Sequence, residues 1–143
     1  MKFLLVASIM LLSFNSFAFG GDDIFKGQYL GRTKTLNDKC LAYGNISNSI
    51  ETGSTKYTIY VSNIESMTEF AYASFDGNSE LIQKIEDAKK NGGTINIFDK
   101  TESRTFGIQE KMLVQLNFNS QGKLVSAKGR DFQNLTYLNC IIE

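Results

Sequence analysis

The chain has 143 residues, with 15 basic and 15 acidic side chains, two Cys, and no His, Trp or Pro. That length implies one domain. Lack of imidazole excludes Ser-His-Asp and Cys-His nucleophiles and His acid/base chemistry, two Cys cannot complete a Cys₄, Cys₃His or Cys₂His₂ zinc site, and balanced charge gives no field to draw in a phosphate backbone.

The N-terminus runs Met1-Lys2, an apolar stretch from Phe3 to Leu12, then Ser13 to Gly20. One positive charge, a short apolar core and small residues at its end predict a secretory signal peptide over residues 1–18, with cleavage after Ala18 in Ser16-Phe17-Ala18. Ala18-Phe19-Gly20 offers a second site. The apolar run is too short for the ~20 residues that cross a bilayer, so no membrane span is expected. Removing residues 1–18 takes one base, Lys2, and no acid, which leaves a net charge of −1 on residues 19–143. The expected destination is the periplasm or the extracellular space, where paired Cys persist as disulfides. Neither Cys40 nor Cys140 has a CxxC partner or an evident activating base, and a Cys40–Cys140 bridge would close a loop of about 100 residues, worth on the order of 4–5 kcal/mol.

Alternation dominates the rest of the chain. Strands are predicted near 27–35, 39–47, 55–63, 68–75, 94–99, 108–118, 123–130 and 134–142, from period-2 runs rich in β-branched and aromatic residues. Gly27-Gln28-Tyr29-Leu30-Gly31, opening the first of these, resembles the Gly-x-Trp start of lipocalin-like barrels over five residues, with Tyr29 where that pattern has Trp. The resemblance implies a β-barrel and carries no residue role with it. Tyr57, Ile59 and Val61 share one face of the third run, so Tyr60 must project from the other; Tyr43 likewise opposes Cys40 and Ala42. These two Tyr are the candidate binding residues. The fourth run sets Phe70, Tyr72 and Ser74 against Ala71, Ala73 and Phe75.

One helix interrupts the pattern. Asn78-Ser79 supplies an N-cap and Glu80 an acid in the first turn. Leu81, Ile82, Ile85 and Ala88 make an apolar face, with Glu80–Lys84 and Glu86–Lys90 as i,i+4 pairs. Lys89 and Lys90 complete the last turn, and Gly92-Gly93 stops the helix. Further on, Asn119-Ser120-Gln121-Gly122 reads as a hairpin turn. The expected architecture is mainly β: a small antiparallel barrel of about eight strands with one helix after the fourth. The alternative is an α+β fold, a curved antiparallel sheet with the helix packed on one face.

Catalytic candidates are sparse. Asp76-Gly77-Asn78-Ser79-Glu80 begins like a calcium loop, but Leu81 stands where Gly is needed and Asp87 replaces the bidentate Glu, so a turn and helix cap are expected. Asp22-Asp23 reads as a solvated terminus. Nothing in the spacing of Glu65, Glu69, Glu102 and Glu110 brings two carboxylates together. Ser126 and Lys128 share a strand face without a hydrolase motif around them. Asn45-Ile46-Ser47 and Asn134-Leu135-Thr136 are glycosylation sequons, relevant only in a eukaryotic secretory pathway. The expectation is therefore an exported, non-enzymatic, monomeric binding protein with no cofactor, no metal and no nucleic-acid partner. It would hold a small apolar or amphipathic ligand, or act as an inhibitor or immunity protein on a partner enzyme.

Overall fold

The computed structural model describes residues 24–66, 70–77, 79–105, 107–131 and 136–143, the side chains of 100–103, 109 and 110 excepted. The expected signal peptide, Asp22-Asp23, Glu69, Asn78 and Asn134-Leu135, together with the Glu102 and Glu110 side chains, lie outside the described residues. The elements in chain order are β1 (Gln28–Thr33), β2 (Lys39–Asn48), β3 (Thr55–Asn63), β4 (Phe70–Asp76), α1 (Glu80–Asn91), β5 (Gly93–Ser103), β6 (Gly107–Phe118), β7 (Leu124–Arg130) and β8 (Tyr137–Ile142). All eight strands form one antiparallel sheet in the order β4-β3-β2-β1-β8-β7-β6-β5, curled into a nearly closed barrel. The expected strands, and a helix after the fourth, are all present. The fifth strand is longer than expected, running on to Ser103.

Two consecutive meanders build this sheet, and the terminal strands join them. β1 pairs with β8 through Gly31↔Ile142, Arg32↔Ile141 and Thr33↔Cys140. The Cys40–Cys140 disulfide reinforces the junction from inside, linking β2 and β8 across β1. Strands on either side of a common neighbour in a flat sheet are about 9.5 Å apart, twice the interstrand spacing. Here the Cα atoms of Cys40 and Cys140 are 5.8 Å apart, so the sheet bends sharply at β1. Gly31 occupies the bend, where any side chain would strike the Ile141 carbonyl. Strand curvature of this kind depends on a residue without Cβ.

Inside, Ile59, Val61, Ala71, Ala73, Val114, Leu116 and Ala127 are fully buried. The wall of β3 and β4 lies against β6 and β7 across the interior. The closest approach is at Gly129 of β7, where a Cβ would meet the Ala71 Cβ and the Val61 side chain. Small residues on β4 and β7 let the two walls approach closely at this point.

Helix α1, with Ile24 and Phe25, caps the end where β4 stops and β5 begins. Ile85 and Ala88 are buried, and Leu81 and Ile82 pack against the same core. The Phe25 ring sits edge-on to Tyr57 at 4.9 Å and to Phe75 at 6.4 Å. Gly92 ends the helix at φ 79, its N–H bonded to the Ala88 carbonyl at 2.8 Å. Two expectations need correction. Ser79 takes the N-cap position with extended backbone, but its hydroxyl makes no capping bond and is buried without a partner. Glu86 pairs with Lys89 at 3.0 Å, one residue short of the expected Lys90, because i,i+3 neighbours meet on a helix as readily as i,i+4. At the opposite end the closure is polar. The buried Asn63 donates to Asp38 Oδ2 at 2.9 Å and accepts from the Glu65 and Ser66 N–H groups at 3.0 and 3.1 Å.

Candidate interaction surface

The outer face of the first meander is set by parity. Because Ala42, Ile59, Val61, Ala71 and Ala73 point inward, Tyr43, Tyr60, Phe70 and Tyr72 point outward. The strand register then places Tyr43 opposite Tyr60, and Tyr60 opposite Tyr72. The three rings form a row across β2, β3 and β4. Tyr43 and Tyr60 stack at 4.8 Å with their planes 17° apart. Tyr60 reaches Tyr72 at 6.2 Å and Phe70 at 5.6 Å, and Phe70 lies 6.0 Å from Tyr72. Phe70 and Tyr72 are each 40% exposed, and Leu30 on β1 is 59% exposed.

Both Tyr singled out from the sequence are therefore on the outside and touch one another. Phe70 and Tyr72, which enlarge the patch, were missed. Their strand has aromatic residues on both faces, and alternation alone does not say that the small Ala71 and Ala73 face the core. Charges lie at the margins: Lys56 opposite Asp76 beyond one side, and the Arg32–Glu143 pair at 3.4 Å beyond the other. Such a surface offers apolar area with phenolic hydroxyls.

The remaining candidates do not assemble. Ser126 Oγ accepts a hydrogen bond from Asn117 Nδ2 at 2.8 Å, while the Lys128 ammonium sits 4.7 Å from the centre of the Tyr137 ring, so each is engaged elsewhere. Around Asp76 the geometry is that of a turn: its carbonyl accepts the Ser79 N–H at 3.0 Å, and the Gly77 N–H donates to the Thr55 carbonyl at 2.8 Å. An open cleft of about 520 Å³ adjoins this turn, lined by Gly53, Ser54, Thr55, Tyr57, Asp76 and Gly77. Among the described residues that line it, Asp76 is the one carboxylate. Among the described residues no three His, Cys, Asp or Glu side chains gather as a metal site, and no helix is long and apolar enough to cross a membrane. Asn45 and Ser47 of the first sequon lie on exposed positions of β2.

Searches against protein-family models, curated proteins and solved structures find no match for this chain. A functional reading therefore rests on the geometry alone.

Proposed function

We propose that this chain is an exported, non-enzymatic binding protein that recognises a protein partner through the outer aromatic face of β2–β4. One observation carries the reading: Tyr60, Phe70 and Tyr72 touch one another and Tyr43 stacks on Tyr60, all four rings on the outside of the sheet, and Phe70 and Tyr72 are each 40% exposed. Tyr-rich surfaces with apolar bodies and polar tips are enriched where proteins meet. Small ligands are held in concave sites, whereas this face is a sheet surface. The walls approach closely where Gly129 faces Ala71 and Val61, which narrows the interior there and supports the protein-binding alternative. The buried Cys40–Cys140 bridge is consistent with an oxidising, extracytoplasmic setting.

The test is a comparison of immobilised wild-type protein with a Tyr60→Ser/Tyr72→Ser variant, each exposed to the extracytoplasmic fraction of the producing cells. A partner should be retained by the wild type and lost from the variant, with the melting curve shifted by no more than ~1 kcal/mol in stability terms. A partner held equally by both chains would overturn the assignment of this face. So would a small molecule found inside the barrel by native mass spectrometry.

A further inference from the structure

The ladder between β2 and β3 outruns both of its neighbours. β1 begins its pairing with β2 at Gln28↔Tyr43, and β4 ends its pairing with β3 at Lys56↔Asp76, whereas β2 and β3 continue to Asn48↔Thr55. Every residue from Asn45 to Ser54 is exposed, on both faces of the ribbon. Four residues of strand carry the turn about 13 Å past Gly44.

The turn at the tip is closed by its own bonds. The Ser49 N–H donates to the Ser54 carbonyl and the Gly53 N–H to the Ser49 carbonyl, each at 2.9 Å. The Thr52 N–H donates to Ser49 Oγ at 3.3 Å, the hydroxyls of Thr52 and Ser54 meet at 2.7 Å, and Thr55 Oγ1 donates to Asn48 Oδ1 at 2.9 Å. Gly53, at φ 66, supplies the left-handed residue of the return. A loop held in this way binds without first giving up the freedom of an open one. Ile50 stands at the crest and is fully exposed. Turns favour Gly, Pro, Asn, Asp and Ser, and a β-branched aliphatic residue in this place serves neither the turn nor the core. Glu51 beside it is the one charge from Asn45 to Ser54.

We propose that this tip plugs the substrate cleft of an extracytoplasmic enzyme, with Ile50 in an apolar pocket and Glu51 against a basic group at its rim. The proposal rests on the reading of a protein partner given above, and names the class of that partner. One projecting side chain on a rigid ribbon has little area to offer a flat surface. Its complement is concave, and concave, mostly apolar sites on proteins are few and are those that hold small molecules and cofactors. Asn48 lies about 17 Å along β2 from Tyr43, so a partner covering a standard ~800 Å² spans both the tip and the tyrosine row.

The experiment places a photoreactive benzophenone at the tip, as an Ile50→p-benzoylphenylalanine chain irradiated in the extracytoplasmic fraction of the producing cells. The cross-linked peptide, sequenced by mass spectrometry, should line the substrate cleft of one enzyme. The unsubstituted chain should inhibit that enzyme, and Ile50→Ser should inhibit it about tenfold more weakly or worse. Leu36→Ser alters an exposed aliphatic residue at the opposite end of the barrel and should inhibit as the unsubstituted chain does. Both positions are exposed, so neither variant should shift the thermal midpoint. Four results would each overturn the plug: no cross-linked protein, a cross-link outside a cleft, a cross-linked protein without enzymatic activity, or full inhibition by Ile50→Ser. The variants also separate the plug from the reading beneath it. Inhibition lost with Tyr60→Ser/Tyr72→Ser and kept with Ile50→Ser removes the tip and leaves the aromatic face. The converse removes the aromatic face and leaves the tip.

Discussion

The outer faces of the two meanders share one backbone geometry and differ in chemistry. On the second meander, where Phe98, Tyr137 and Ile141 are also exposed, outward polar side chains in a row across β5, β6 and β7 bond to one another. Thr94 Oγ1 donates to Asn117 Oδ1 at 2.7 Å, Asn117 Nδ2 donates to Ser126 Oγ at 2.8 Å, and Gln115 Nε2 donates to Asn96 Oδ1 at 2.8 Å. Cross-strand polar pairs of this kind contribute about 0.2–1 kcal/mol each. On the first meander the corresponding row is Tyr43, Tyr60 and Tyr72, which leaves apolar surface in water. Contiguous apolar surface on a soluble protein marks a place that something covers. A face that satisfies itself is finished at folding; on the function proposed above, the aromatic face is finished by a partner.

The contrast between the meanders is disrupted most severely at their junction. Replacing both Cys40 and Cys140 with Ala removes a cross-link between residues 100 apart, and should lower stability by about 4–5 kcal/mol in urea unfolding. The two faces should then unfold at separate midpoints if the bridge, more than the short β1–β8 ladder, holds the meanders together. Gly129→Val wedges apart the walls that meet at Ala71 and Val61. It should cost about 1–3 kcal/mol by overpacking, with the thermal midpoint as readout and the order of the tyrosine row unaffected. The smallest effect is expected on the polar face. Asn117→Ala removes its bonds to Thr94 and Ser126 and should cost about 1 kcal/mol in denaturant unfolding. It should leave partner capture unchanged, where Tyr60→Ser/Tyr72→Ser should abolish capture at little cost in stability.

Much of this fold is legible from residue order because several signals agree. The 55–63 strand combines alternation with β-branched and aromatic residues, and it appears with those bounds. The helix is fixed by its apolar spacing and by Gly92-Gly93. Two cysteines without other partners, in a chain expected to be exported, leave the bridge as the favoured pairing. Tyr43 and Tyr60 are legible as outward because their neighbours Ala42, Ile59 and Val61 are plainly core residues. What alternation withholds is how strands meet. Nothing local says that Tyr60 lies beside Tyr72, since register is fixed by pairing between distant segments. Nor does it say that Ala71 and Ala73 face inward while Phe70 and Tyr72 stay wet. That choice follows from the opposite wall, where Gly129 leaves room for a methyl group and no more.

The order of strands carries one more consequence. Because the terminal strands lie at the centre of the sheet, the two unjoined edges both come from mid-sequence, on either side of α1. Proteolytic cleavage between Gly92 and Gly93 would thus divide the polypeptide without severing any interstrand ladder. The resulting fragments, four strands apiece, would each keep one half of the Cys40–Cys140 bond and would travel as a single covalent species until a reductant released them.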